Sequence, residues 1–236
     1  MVILMNKVIF KYKYQVIIML LILFNLCVVL RNQENYLLTD NVVLTKNDEK
    51  KLELNDEHSY KALVYYPNSK YKILNKEISI NIKKYVDEFK KNIKNVDVQK
   101  NQYYTLDITY DEYKYNNYLS YVFYIDDYIG GAHPNRRIWT ISYDIKNENI
   151  ITIEDLIKKN PDFLEKLSTI IRKELLSNAK VSNISMLLEG TKTVKENFTK
   201  FAFGKKSFLI FFQPYQVSSY SSGSFVVEVP YSKIFE

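Results

Sequence analysis

His58 and His133 are the only imidazoles in the chain, and Cys27 is its only cysteine. These counts limit the chemistry at once. A zinc site built from several histidines is excluded, and so are a cysteine-based metal site and an intramolecular disulfide. No metal and no cofactor is expected. His133 could act as a general base beside Asp126 or Asp127, or share a mixed site with those carboxylates, although nothing in the spacing compels either. Ser218, Ser219, Ser221, Ser222 and Ser224 lack a Gly-x-Ser-x-Gly elbow. There is no phosphate-cradling glycine loop and no dinucleotide fingerprint. Catalysis is not expected from this chain; a binding role is.

His133 belongs to Tyr128-Ile-Gly-Gly-Ala-His-Pro-Asn135. Gly130 and Gly131 permit backbone angles that a side chain would forbid. Pro134 fixes its own φ and holds His133 extended. A two-residue turn would suffice for a hairpin, so the longer loop is either a shaped surface or a turn packed on its domain. A second loop, 213–223 (QPYQVSSYSSG), carries two tyrosines, a residue type favoured at binding centres. The candidate ligand-binding residues are therefore Gly130, Gly131, His133 and Asn135 in the first loop, and Tyr215, Tyr220 and Gly223 in the second.

The elements that must position these loops read as α+β. Ile78, Ile82, Val86, Phe89 and Ile93 recur every three or four residues and predict a helix over 75–93, with a mixed lysine and acid face turned to solvent. Residues 102–114, 118–126 and 136–145 alternate with period two and predict an antiparallel meander with the glycine loop between its last two strands. Asp126 and Asp127 are expected to end a strand and face water. Thr152 and Asp155 mark a helix start. Asn160-Pro161 opens a second main helix running to about residue 178, with Phe163, Leu164, Leu167, Ile171 and Leu175 inward. Short helical turns follow around 186–188 and 194–198. Residues 200–203 and 207–212 form a hairpin whose second strand is apolar throughout and so central. Residues 225–230 are the last strand, and 231–235 a closing turn.

The chain has 236 residues and a formal net charge of +6. Residues 1–31 carry four of the basic residues and no acid. Residues 32–236 hold 29 lysines and arginines against 27 acids, a net of +2. The high pI thus belongs to the N-terminal segment, and a near-neutral domain argues against nucleic acid as partner. Val16–Leu30 is apolar except for Asn25, and three lysines precede it. No small-residue cleavage site follows, so an uncleaved signal anchor is expected, N-terminus cytoplasmic and the remainder extracytoplasmic. The domain plan is a stub and anchor over 1–31, a polar linker over 32–57, an N-terminal α/β subdomain over 58–100 and a C-terminal α+β domain over 101–236. The expected fold is thus an antiparallel sheet packed by two main helices and preceded by one N-terminal membrane-anchor helix.

Gly130-Gly131-Ala132-His133-Pro134-Asn135, Thr152-Ile-Glu-Asp-Leu156, Tyr215-Gln-Val-Ser-Ser-Tyr220 with Gly223, and Val229-Pro-Tyr231 occur in this order. Together they resemble the extracytoplasmic domain of RsiV-type anti-sigma factors, a domain also found before the catalytic part of PdaC-type peptidoglycan deacetylases. The resemblance covers about residues 58–236. It implies an α+β domain at the outer cell surface that binds lysozyme or a peptidoglycan-type ligand. An RsiV-type protein carries a cytoplasmic sigma-binding segment, and only about 15 residues precede the apolar run here. A polysaccharide deacetylase domain is also missing from the sequence. Two other roles stay open: a hydrolase acting on cell-wall glycan with His133 as base, and an accessory module for another envelope protein.

Overall fold

The computed structural model describes residues 49–56, 60–94 and 103–235. The expected anchor, the first part of the linker and His58 lie outside the described residues. Among those described, no helix is long and apolar enough to cross a membrane.

Six strands form the first sheet in sequence order: β1 (Glu49–Asp56), β2 (Tyr60–Pro67), β3 (Tyr104–Tyr115), β4 (Tyr118–Tyr128), β5 (Asn135–Asp144) and β6 (Asn149–Ile151). Helix α1 (Lys72–Lys94) connects β2 to β3, and these two strands pair in parallel; every other neighbouring pair is antiparallel. The meander β3-β4-β5 is the one expected. The sheet is therefore antiparallel except where the α1 crossover forces a parallel pair, since a hairpin cannot make that join. That pairing sets β2 of the 58–100 segment beside β3 of the 101–236 segment in one sheet.

The linker expectation needs correcting in part, because Glu49–Asp56 is a strand paired along its length with β2. Its sequence, EKKLELND, is highly charged, which hid it. Charge suits an edge strand, where it blunts unwanted pairing with another chain.

Three further strands, β7 (Phe201–Phe203), β8 (Ser207–Phe212) and β9 (Phe225–Pro230), make a second antiparallel sheet with β8 in the centre. Every residue of β8 is buried, because both of its faces are covered. Phe208, Ile210 and Phe212 point into a core shared with α2 (Ile153–Lys159), α3 (Phe163–Leu176) and α4 (Ile184–Gly190). Leu209 and Phe211 point the other way, onto Tyr113, Val122 and Ile138 of the first sheet. α1 covers the remaining face of the first sheet with Leu74, Ile78, Ile82, Val86, Phe89 and Ile93, each fully removed from water or nearly so. A buried side chain of this size stabilises by about 2 kcal/mol, so this stripe fixes α1 far more than its sequence propensity does.

The two sheets are also stitched by hydrogen bonds. The backbone N–H groups of Phe201 and Phe203 donate to Thr140 Oγ1 (3.1 Å) and Ser120 Oγ (3.0 Å). Ser120 and Ser142 share a further bond of 2.8 Å. β7 thus finds partners on the first sheet for donors its own edge would leave bare.

Thr152 caps α2 as expected. Its hydroxyl accepts from the Asp155 N–H, and the Asp155 carboxylate accepts from the Thr152 N–H at 2.9 Å and from the Thr152 hydroxyl at 2.8 Å. These bonds to the carboxylate hold the Asp155 pKa below its usual value. Thr152→Ala is expected to cost about 1 kcal/mol, read as a lower urea midpoint at unchanged slope. α3 starts at Phe163 with Asp162 before it, and Asp162 makes no side-chain cap bond. The helix is held instead by Phe163, Leu167, Ile171 and Leu175 in the core.

Candidate functional site

The loop between β4 and β5 and the segment between β8 and β9 meet at one end of the sheets. Gly130 and Gly131 adopt φ of 100° and 105°, so the turn needs glycine there. His133 is thereby lifted out of the hairpin, and its ring stacks on Tyr220 at 3.7 Å between centroids and 16° between planes. The Tyr220 hydroxyl donates to the Pro134 carbonyl at 2.6 Å. His133 Nδ1 lies 2.9 Å from the same carbonyl, which can only accept. The stack and the Tyr220–Pro134 bond, which spans 86 residues of sequence, join the two loops.

The second loop is held from behind. Gly190 at the end of α4 touches its backbone so closely that a Cβ there would lie 2.1 Å from the Gln216 carbonyl oxygen. The Gln216 side chain donates to the Asn197 carbonyl at 2.9 Å, and Val217 and Ser218 are buried. Ser218 Oγ accepts from the Ser182 N–H at 3.0 Å. The serines of this loop bond to one another, which is turn chemistry. Tyr215 is 59% exposed at φ 68°, and Gly223 has φ 74°. A tyrosine is rarely held at positive φ. Here it sets the Tyr215 ring 5.4 Å from that of Tyr220. His133, Tyr220 and Tyr215 thus form a run of three neighbouring rings.

Beside these rings lies a groove of about 330 Å³ lined by Asp126, Pro134, Arg136, Pro214, Tyr220 and Gly223. Asp126 and Arg136 face each other across β4 and β5. They form a bidentate pair, Nε–Oδ1 2.7 Å and Nη2–Oδ2 2.8 Å. That pairing raises the Arg136 pKa. Burial and the nearby Asp126 charge push the Asp107 carboxyl up. The floor of the groove is therefore a closed ion pair with fixed donors and acceptors.

The next residues along each strand point to the opposite face. Asp127 is only 4% exposed, contrary to the expectation that it faces water. Arg137 Nη2 donates to it at 2.9 Å, and Arg137 also holds Glu88 of α1 at 3.0 and 3.1 Å and lies over the Tyr85 ring. Burial raises the Asp127 pKa, and the Arg137 charge opposes this. Asn135 belongs to this cluster, donating to Asp127 Oδ1 at 3.3 Å.

The structure therefore brings His133, Tyr215, Tyr220 and Gly223 to one place. Gly130 and Gly131 shape the loop, and Asn135 turns away from the groove. Sequence reasoning passed over Arg136, although the hairpin register opposes it to Asp126. It also passed over Pro214, for which no signal was visible. Among the described residues, no hydrogen bond joins His133 to a carboxylate, since Asp126 and Asp127 are each held by an arginine. No group of three His, Cys, Asp or Glu residues that could hold a metal occurs among them either.

Comparison with known proteins matches two successive segments of the chain. Residues 45–136 match the family model described as Deacetylase PdaC, and residues 154–232 match the one described as Protein of unknown function (DUF3298). The peptidoglycan-N-acetylmuramic acid deacetylase PdaC of Bacillus subtilis (strain 168) is 32% identical over 172 residues. The aligned part is 70% of this chain but only 36% of that protein, so the chain spans about a third of its relative. Crystal structures of DUF3298 family proteins from Bacteroides fragilis and Pseudomonas aeruginosa PAO1 share the fold, each with a TM-score of 0.50. They are 15% and 11% identical, over 84% and 83% of this chain and 94% of each of theirs. The expected likeness to the domain of PdaC-type proteins is met: a segment matching the PdaC model is followed by one matching the DUF3298 model, in an α+β fold.

Proposed function

We propose that this is a membrane-anchored, extracytoplasmic binding domain whose groove takes a peptidoglycan-type glycan. The observation that carries the reading is the joining of the two loops through His133, Tyr220 and Pro134, which sets an aromatic run beside a polar floor. Aromatic faces offer flat apolar area at low conformational cost, suited to the C–H face of a sugar ring. The Asp126–Arg136 pair supplies oriented donors and acceptors for hydroxyl and amide groups, the small set of polar contacts that fixes a ligand in a concave site. The PdaC relative is named for an activity on peptidoglycan, which supports a cell-wall ligand over an unrelated one. Binding without turnover is the reading adopted, with the N-terminal apolar run as the anchor and the cytoplasm on its N-terminal side.

The test is co-sedimentation of the full chain with isolated peptidoglycan sacculi. Wild type is expected to sediment, and because the floor is a closed ion pair, added salt is expected to change this little. Tyr215→Ala is expected to weaken retention about tenfold, which corresponds to about 1.4 kcal/mol. Unchanged retention of Tyr215→Ala and His133→Ala would contradict the groove as the site. Binding to lysozyme instead, as the RsiV-type resemblance implies, would replace the glycan with a protein ligand.

A further inference from the structure

Positive charge in the domain is concentrated on one helix. α1 carries seven lysines and three acids, a net of +4, whereas the rest of residues 32–236 sums to −2. Glu77, Asp87 and Glu88 lie among these lysines, and the fold gives two of them cationic partners. Glu88 is drawn to Arg137, and Asp87 is paired with Lys83. Glu77 is half-buried. Lys76, Lys84 and Lys91 are exposed, with Lys72 and Lys94 at the two ends, and none of these five has an ion-pair partner among the described residues.

Ile73 and Ile80 stand on the same outer face, 50% and 51% exposed. They are seven residues apart, two turns, or about 10 Å along the axis. Ile80 borders an open depression of about 540 Å³ whose other lining residues are Lys83, Lys84, Lys91 and the two acids Asp87 and Glu88, which are paired with Lys83 and Arg137. An inward-facing role is closed to both isoleucines, because the core stripe of α1 is complete without them.

We infer that the outer face of α1 docks on an anionic lipid surface. The lysines meet the phosphate headgroups, and Ile73 and Ile80 enter the boundary between headgroups and acyl chains. Basic clusters of this size are attracted to anionic leaflets, and apolar side chains on the same helix add buried area at the interface. A soluble polyanion would use the lysines and leave the isoleucines in water, which is why lipid is the occupant that accounts for both. The surface is separate from the aromatic groove and does not depend on what the groove binds.

The experiment uses the full chain reconstituted in vesicles, with a polarity-sensitive dye attached at Ser79→Cys in a Cys27→Ser background. Ser79 is exposed on α1, and Thr169→Cys on exposed α3 is the control position. The α1 dye is expected to gain at least twofold in emission when phosphatidylglycerol is added to phosphatidylcholine vesicles, with no gain at the control. Lys84→Glu with Lys91→Glu should abolish the gain without changing the melting temperature, and Ile80→Ser should reduce it. Equal emission in the two lipids, or a full gain in the charge-reversed variant, would overturn the inference. A gain reproduced by soluble polyglycerol phosphate without anionic lipid would overturn it too, in favour of a polymer.

Discussion

Arg137→Ala is expected to destabilise the domain by about 3 kcal/mol, because it leaves Asp127 buried without its cation. The arginine ties β5, β4 and α1 together through Asp127, Glu88 and the Tyr85 ring, so its loss loosens the strand that carries the first loop. The pH dependence has a defined sign. Burial already raises the Asp127 pKa while Arg137 opposes it, and removing Arg137 removes that opposition. A carboxyl whose folded pKa is raised favours the folded state when protonated, and this contribution disappears as pH rises through the folded value. The variant should therefore lose most at neutral pH and recover part of the loss in mild acid. Asp127→Ala added to Arg137→Ala should restore stability at neutral pH, since the uncompensated charge is gone. Urea unfolding of the three proteins at two pH values checks this. An Arg137→Ala loss that does not depend on pH would show that lost packing, not the buried charge, dominates.

Gly190→Ala is expected to have the second large effect, and to act on the site from a distance. The added Cβ would meet the Gln216 carbonyl oxygen at 2.1 Å and Val217 Cγ1 at 2.9 Å. Contacts that short force the backbone apart, typically at about 1–3 kcal/mol. Gln216 lies between Tyr215 and Val217, so the displaced segment is the one that presents Tyr215 and Tyr220. A melting temperature lower by several degrees should accompany loss of glycan retention. The domain should remain folded, because the contact sits at the margin of the core under α3 and β8, where Val217 joins it, and the rest of that core is untouched. Retained binding with lowered stability would mean that the groove tolerates movement of its second loop.

Much of this architecture was legible in the residues. The apolar stripe of α1 and the period-two strands β3 to β5 carry their own signals, because each buries one face against a core. The Thr152–Asp155 capping box is equally local. β1 was hidden because its period-two signal is only two residues deep, Leu52 and Leu54 on the core face within a charged run. Asp127 was misjudged for a related reason: period two says which side chains share a face, but not that α1 and Arg137 would cover this one. The site was legible only as two separate loops. That His133 should lie on Tyr220 depends on the second sheet packing against the first, through Leu209 and Phe211 on Val122 and Ile138, and no local pattern reports that. Arg136 could have been found by opposing β4 to β5 in register across the glycine loop.

The central claim is that the two loops form one ligand groove through Tyr220. It is tested most directly by calorimetric titration of the full chain with a soluble peptidoglycan oligosaccharide, beside Tyr220→Phe and Tyr220→Ala, with lysozyme titrated in parallel. The account predicts saturable heat for wild type and a moderate loss for Tyr220→Phe, which keeps the ring and loses the bond to Pro134. It predicts no measurable heat for Tyr220→Ala and none with lysozyme. Equal heats for wild type and Tyr220→Ala, or binding only to lysozyme, would contradict it.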